Sequence, residues 1–531
     1  MFPLINMHCI IGSGPAGVAC AKALLARGAK VLMLDAGIDL EPDRTQIVQR
    51  LAAAKPSDWP PSQLARLKEG MIAGNKGIPL KLIFGSDYPY RETEQHIPWQ
   101  GPGLGLRPSL AFGGFSTVWG AAMLPYRDAD IENWPIKTAD LEKHYRAVAE
   151  FAGLAAQRDD LDELFPLHTD QPQPLRSSRQ AGLLLNNLQR HRARLRERGW
   201  RFGCARLAVR ATDSPKSPGC IYCGLCLYGC PYGCIYNSAD TVKEMIAGNN
   251  FTYQSNVIVV SLREEAGKVI VNGYHRQTRD PLSFETSRVH LAAGIIPTAQ
   301  ILLRSRADYD RPLRFCDSQY FLFPLLLARR TRDVAAESLY TLSQIFIEIF
   351  RPEISRRSVH LQIYTYSDFI GQVVRKSLGP LAFMSGPLAE RMVIVQGYLH
   401  SDESSAISAI LKRGAGGSDC LQLAAQINPE TRRIVKRVFR EMFRQTRALG
   451  GMALPMMLQL AEPGRGFHSG GSFPMRQQPK PFESDRLGRP FGWERVHAVD
   501  ATVLPSVPAT TITFSVMANA HRIGWETATM D

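Results

Sequence analysis

The sequence has no run of about 18 uncharged apolar residues, so no membrane-spanning helix is expected. Residues 1–7 carry no basic n-region, no separate apolar h-region and no twin arginine, so no signal peptide is expected either. Internal repeats and low-complexity tracts are absent, which argues against solenoids and disordered arrays. Acidic residues are in short supply: 49 Asp and Glu stand against 63 Lys and Arg, a net charge of +14. Such a balance attracts anionic lipid, nucleic acid or acidic substrates. No nucleic-acid-binding fingerprint accompanies it, so no nucleic-acid partner is expected. The expected compartment is the cytoplasm.

Two features bear on membrane contact. Residues 377–388 are apolar but short, and Gly and Pro interrupt them. A buried loop is the preferred reading; peripheral contact with the inner membrane is the alternative. Arg190, Arg192, Arg194, Arg196, Arg198 and Arg201 form a basic cluster. A solvated helix face is preferred, with a docking surface for a lipid head group or phosphate as the alternative.

With 531 residues the chain exceeds one compact core, so two or more domains are expected. Hydrophobic content of 45% is ordinary for a globular protein. Met7-His8-Cys9-Ile10-Ile11 reads as a buried strand, residues 15–27 as a helix stopped by Gly28, and residues 30–35 as a second strand. This is one βαβ unit. Residues 38–110 are rich in turns and suit a long surface excursion. Helices are expected over 140–149, 183–198, 297–304, 432–449 and 513–527. Strands are expected over 257–262, 268–274, 287–292, 340–350, 358–366 and 496–499.

Four motifs carry the chemistry. Gly12, Gly14 and Gly17, with Pro15 and Ala16 between them, lie between strand and helix. Gly12 permits the tight turn, Gly14 lets a pyrophosphate approach the backbone, and Gly17 lets the helix pack against the strand. The helix N-terminus suits phosphate. Asp35 ends the second strand, followed by Ala36, where an acid would hold a ribose hydroxyl pair. The second motif is Gly113-Gly114-Phe115-Ser116-Thr117-Val118-Trp119-Gly120. The third is His290-Leu291-Ala292-Ala293-Gly294, leading into a helix. The fourth is Val499-Asp500-Ala501-Thr502, followed by the last helix.

In this combination and order the chain resembles the glucose–methanol–choline (GMC) oxidoreductases, FAD enzymes that oxidise alcohols. The resemblance extends over nearly the whole length. It implies an α/β fold with an α+β cap: a Rossmann-like FAD-binding domain and a β-sheet substrate-binding cap. The FAD-binding domain would comprise 1–125, 200–312 and 456–531. The cap would comprise 126–199 and 313–455, and a cysteine-rich insertion 218–236. Gly12, Gly14, Pro15, Ala16, Gly17, Asp35 and Ala36 would hold the ADP part. Gly113, Gly114, Ser116 and Val118 would lie along the pyrophosphate and flavin. Val257 would sit by the adenine, with Ala293, Gly294, Asp500 and Ala501 along the rest of the cofactor. FAD is expected to be non-covalent, because no His occurs between Arg107 and Tyr126.

The resemblance places His468, within Gly466-Phe467-His468-Ser469-Gly470-Gly471, at the reactive edge of the flavin. Imidazole suits a base that takes the hydroxyl proton while hydride leaves carbon. The family's second polar residue, Asn or His, is replaced by Thr511. Thr hydrogen-bonds but is no base near neutral pH. Thr511 is therefore a candidate to orient substrate and cofactor, with Thr510 next.

Five of the ten cysteines lie between 220 and 234. Cys220, Cys223, Cys226 and Cys230 have the spacing of bacterial ferredoxins, and Cys234 is a possible substitute ligand. Three readings stand: an iron–sulfur cluster (4Fe–4S or 3Fe–4S), a zinc site, or unliganded thiols near the flavin. The resemblance adds that sugar dehydrogenases of the family hold a cluster at such a segment, while sterol-oxidase-like members carry one for which no cluster is assumed.

The expected protein is an FAD-dependent alcohol or sugar dehydrogenase. It would oxidise the CH–OH of a small alcohol or carbohydrate, a sugar or glycan-linked hydroxyl being preferred, by hydride transfer to flavin N5. Electrons would then pass through the cluster to an external acceptor. The alternatives are a sterol or long-chain alcohol oxidase without a cluster and a non-catalytic flavin-binding redox partner. The oligomeric state is left open.

Overall fold

The computed structural model describes residues 7–70, 80–214, 217–414 and 419–530. At its centre lies a five-stranded parallel sheet in the order Val496–Ala498, Arg288–Leu291, Met7–Ile11, Lys30–Leu34, Phe251–Gln254. Its strands are buried and mostly apolar, as a parallel sheet covered on both faces requires. Helix Pro15–Ala26 starts with proline at its first position and packs against the last helix, Thr513–Thr527. The strands Val257–Glu265, Lys268–His275 and Pro281–Thr286 form a small antiparallel sheet beside it.

The cap is a larger antiparallel sheet. Its strands run Gly451–Ala453, Tyr320–Leu327, Met392–Leu399, Val359–Tyr364, Ile345–Ile349, Trp200–Cys204, and Gln459–Leu460 adds to the edge of Tyr320–Leu327. Alternation divides its two faces. Val359, Leu361 and Ile363 pack with Leu184, Leu188, Ile434 and Val438 from helices Arg179–Arg190 and Pro429–Arg444. His360, Gln362 and Tyr364 point the other way. Trp200–Cys204 thus belongs to the cap sheet, although residue 200 was expected to open an FAD-domain segment. A further sheet, Ser469–Gly470, Pro312–Asp317, Ala406–Arg413, Asp419–Gln426 and Trp99–Gln100, joins chain segments assigned to both domains.

Several local expectations change. The helix expected over 183–198 is two, Arg179–Arg190 and Arg192–Glu197, separated at His191. The arginines there engage carboxylates: Arg192 pairs with Asp160, Arg196 with Asp160 and Glu163, and Arg201 with Glu163. The turn-rich excursion contains helices Pro42–Ala52 and Pro61–Leu67, which bury Leu51, Trp59 and Leu67 against Leu225 and Tyr228. Residues 71–79 of that excursion lie outside the described residues. Residues 377–388 form helical turns rather than a buried loop, and Phe383 there is 78% exposed. No helix among the described residues is long and apolar enough to cross a membrane.

Candidate active site

The first strand ends at Ile11, and Gly12 turns the chain with φ of +104°. A Cβ at Gly12 would lie 2.5 Å from the Ala292 carbonyl oxygen, and one at Gly17 only 2.0 Å from the Gly12 carbonyl oxygen. Both glycines therefore serve strand–helix packing. No side chain caps the helix that follows, so its first N–H groups remain available to an anion. Gly14 faces the second glycine loop, where a Cβ on Gly114 would lie 3.1 Å from Gly14 Cα.

Asp35 is buried at the end of the second strand. Its carboxylate accepts from Ser13 N–H (3.2 Å), Ser13 Oγ (2.8 Å) and Tyr253 Oη (3.1 Å). Burial still pushes its pKa up to about 6. Ser13 Oγ also accepts from Gly113 N–H at 2.9 Å, which ties the two glycine loops together. On the far side, Asp500 accepts from Gly294 N–H (2.8 Å), Thr298 Oγ1 (2.7 Å) and Thr502 N–H (3.0 Å).

One cavity collects most of the predicted cofactor residues. Gly12, Gly14, Pro15, Ala16, Asp35, Ala36, Gly114, Val257, Ala293, Gly294, Asp500 and Ala501 all line it. Gly17, Gly113, Ser116 and Val118 do not, and instead shape its walls. Ser116 Oγ donates to the Gly113 carbonyl (2.6 Å) and accepts from Ser238 N–H (2.9 Å), locking the second loop onto helix Ser238–Ile246. Sequence reasoning missed Ser13, Tyr253 and Ser238. Only their pairing in space reveals them.

His468 lies beside this cavity and faces the cap sheet. Its neighbours Phe467 and Ser469 line the cavity, and Phe467 adopts a left-handed backbone with φ of +54°. Such a conformation is strained for a bulky residue and persists only where its surroundings enforce it. Asp317 supplies that enforcement. It accepts from Gly464 N–H at 2.9 Å and Ser469 Oγ at 2.7 Å, clamping both ends of the loop. Ser318 N–H donates to the His468 carbonyl at 2.9 Å. The imidazole stacks on Tyr398 with centroids 4.7 Å apart. Its Nδ1 is buried with no hydrogen-bond partner among the described residues. Burial, and secondarily the charge of His360, push its pKa down to about 3.

Thr511 is buried, and its Oγ1 accepts from Leu124 N–H at 3.3 Å. Thr510 Oγ1 is buried without a partner among the described residues. The polar atom left open is thus on Thr510, while Thr511 is engaged by backbone.

Comparison with solved structures settles the architecture. The chain superposes on pyridoxine 4-oxidase from Mesorbium loti with a TM-score of 0.59 at 14% identity, covering 98% of both chains. On formate oxidase from Aspergillus oryzae RIB40 the TM-score is 0.61 at 12% identity, covering 97% of both. The chain has the fold of these two oxidases. In sequence, 57% of the chain is 25% identical to 6'''-hydroxyparomomycin C oxidase of Streptomyces lividus, and the match spans 50% of that protein's length. No family model matches the chain.

Within this fold the cysteine segment packs behind the second glycine loop. Lys81 Nζ donates to the Trp119 carbonyl at 2.9 Å, and Trp119 Nε1 donates to the Tyr236 carbonyl at 2.9 Å. Burial pushes Lys81 down to about 8, while the nearby Cys226 opposes this. Cys220, Cys223, Cys226, Cys230 and Cys234 are free thiols. Backbone N–H groups reach four of the sulfurs: Tyr222 to Cys220, Leu225 to Cys223, Thr341 to Cys226 (3.4 Å) and Cys234 to Cys230 (3.3 Å). Among the described residues no three His, Cys, Asp or Glu side chains converge as ligands of a metal ion.

Proposed function

We propose that this protein is an FAD-dependent oxidoreductase that oxidises the CH–OH of a small molecule to a carbonyl, with His468 as the base. The residues present fit the cofactor. A Cβ at Gly114 would close the gap between the two glycine loops, and Asp35 offers a buried carboxylate where a ribose would lie. Gly12, Gly14, Asp35, Gly114, Val257, Gly294, Asp500 and Ala501 would hold FAD, whose chemistry when bound is to accept the hydride.

The observation that carries the reading is the state of His468. It is half-buried, clamped and neutral, and its buried Nδ1 has no partner among the described residues. A base this reluctant to ionise is weak on its own. It serves where the hydroxyl proton leaves together with the hydride. Tyr398 stacks on its ring, and Tyr320 stacks on Tyr398 in turn.

The test is anaerobic mixing of the FAD-loaded protein with a panel of primary, secondary, sugar and aromatic alcohols, followed by flavin absorbance. Bleaching by at least one alcohol is expected. A flavin that stays oxidised with every alcohol overturns the proposal.

The preferred substrate is a carbohydrate hydroxyl. The partial similarity to 6'''-hydroxyparomomycin C oxidase, whose name identifies a hydroxyl-bearing substrate, supports a hydroxyl as the reacting group. The cysteine segment extends the reading. Four sulfurs with ferredoxin spacing, each receiving a backbone N–H, suit thiolate ligands of an iron–sulfur cluster, whose sulfurs are tuned by such bonds. Cys220, Cys223, Cys226 and Cys230 would hold such a cluster, which would supply one-electron chemistry. Iron and sulfide analysis of anaerobically purified protein is expected to give about four irons per flavin. Flavin without iron would leave the enzyme an oxidase.

A further inference from the structure

Helix Pro429–Arg444 packs on the cap sheet by one face only. That face buries Ile434, Val435, Val438, Phe439 and Met442 in the cap core. The opposite face is basic. Arg432, Lys436, Arg440 and Arg444 recur every four residues and are all exposed. Arg447, also exposed, continues the series in the short helix Thr446–Leu449.

These charges are poorly balanced. Residues 429–449 contain seven Lys and Arg against two Glu. Glu430 is shared by Arg433 (3.2 Å) and Arg437 (2.7 Å). Glu441 is fully buried and serves Arg351 at 2.9 Å, with Arg444 3.9 Å away. Arg432, Lys436, Arg440 and Arg447 have no ion pair among the described residues. Like charges four residues apart weaken a helix, and no carboxylate among the described residues offsets these four. The arginines after residue 190 differ in this respect, because Arg192, Arg196 and Arg201 are paired with Asp160 and Glu163.

Apolar side chains lie among and beside the cations. Phe443, between Arg440 and Arg444, is 48% exposed. Met456 is 97% exposed, in the turn that follows strand Gly451–Ala453, against which the helix packs. A hydrophilic polyanion such as duplex DNA would gain from the cations and nothing from Phe443 and Met456. A bilayer with anionic head groups gains from both: cations at its charged surface and apolar groups at the acyl boundary.

We propose that the exposed face of helix Pro429–Arg444 docks on an anionic phospholipid bilayer. The contact is peripheral. Arg432, Lys436, Arg440 and Arg447 meet the phosphate head groups, and Phe443 and Met456 enter the interface. The sheet fixes the orientation. The helix packs on the face of Val359, Leu361 and Ile363, whereas His468 stacks on Tyr398, which pairs with His360 on the opposite face. A docked molecule therefore keeps His468 on the side of the sheet away from the lipid. The docking does not depend on the oxidoreductase reading.

The test is flotation of FAD-loaded protein with vesicles of phosphatidylcholine alone or mixed with phosphatidylglycerol. Flotation is expected only with the anionic vesicles, and high salt should abolish it by screening the charges. The variant Arg432→Gln/Lys436→Gln/Arg440→Gln/Arg447→Gln is expected to lose about two to three orders of magnitude in partitioning, roughly fivefold for each cation. A control with the same charge change elsewhere, Lys30→Gln/Arg50→Gln/Lys55→Gln/Lys480→Gln, should float like wild type. Phe443→Ser/Met456→Ser should weaken partitioning about tenfold through lost apolar burial. FAD content and melting temperature should be unchanged in all three variants. Failure to float with anionic vesicles, equal flotation with neutral ones, or flotation that survives the four changes on the helix overturns the inference. So does a control that loses as much, or a Phe443→Ser/Met456→Ser variant that floats like wild type. Binding of duplex DNA that the four helix changes abolish, without vesicle flotation, would assign the face to a polyanion and likewise overturn it.

Discussion

The imidazole of His468 stacks on the phenol of Tyr398, with ring centroids 4.7 Å apart and planes 28° from parallel. The stack fixes the imidazole plane, and the Asp317 clamp fixes the loop beneath it. Together they hold a neutral ring whose buried Nδ1 has no partner among the described residues.

His468→Ala is expected to lower the rate of flavin reduction by the best alcohol about 10²- to 10⁴-fold, the range of general-base catalysis. FAD should remain bound, because His468 does not line the dinucleotide cavity. Stopped-flow absorbance and flavin stoichiometry measure the two effects separately. Reduction at the wild-type rate would remove His468 from the mechanism.

Asp317→Ala leaves the Gly464 N–H and the Ser469 hydroxyl without their acceptor. Each buried group so abandoned costs about 1–3 kcal/mol. Lower thermal stability is expected, together with slower flavin reduction in protein that still carries FAD. Asp317→Asn keeps one acceptor oxygen and should fall between the two. Equal reduction rates in all three proteins would show that the clamp does not orient His468.

Two glycine-to-alanine changes should act in opposite directions. At Gly114, φ is +55° and the new Cβ would lie 3.1 Å from Gly14 Cα. Gly114→Ala should therefore lose FAD on gel filtration. At Gly182, inside helix Arg179–Arg190, nothing lies within 4 Å. Gly182→Ala should retain FAD and gain about 0.5–1 kcal/mol through helix propensity. Full flavin content in Gly114→Ala would contradict the assigned close approach.

Acid should destabilise the fold. Burial lowers His468, His144 and His497 to about 3 and His8, His168 and His521 to about 4. These rings favour the fold fully above their ordinary pKa of 6.5, and that contribution is lost as pH falls below 6.5 toward the folded values. Asp35, Asp159 and Asp317, raised by burial to about 6, act oppositely: their cost to the fold is relieved as pH falls from 6 to 4. The histidines outnumber them, so the unfolded chain binds more protons near pH 5. Stability should fall by a few kcal/mol per pH unit, about 1.4 for each net proton. A melting temperature that holds or rises from pH 7 to pH 5 would refute this balance.

The sequence by itself determined the dinucleotide half of the protein. Gly12, Gly14, Gly17 and Asp35 sit within one continuous strand–turn–helix–strand, where spacing along the chain fixes spacing in space. Gly294 and Asp500 were also legible, because each follows a strand of the same parallel sheet. The tertiary structure decided the rest. Glu348, His360, Tyr398 and Tyr320 come from four strands spread over nearly 80 residues, and only antiparallel register sets them in one row. Ser13 became a site residue because its hydroxyl meets both Asp35 and Gly113. The arginines after residue 190 read as a charged patch in sequence, yet three of them are paired with Asp160 and Glu163 from a loop about 30 residues earlier. Local spacing encodes a turn or a helix; which faces meet depends on how distant segments pack to bury their apolar sides, and that choice made His468 the neighbour of Tyr398.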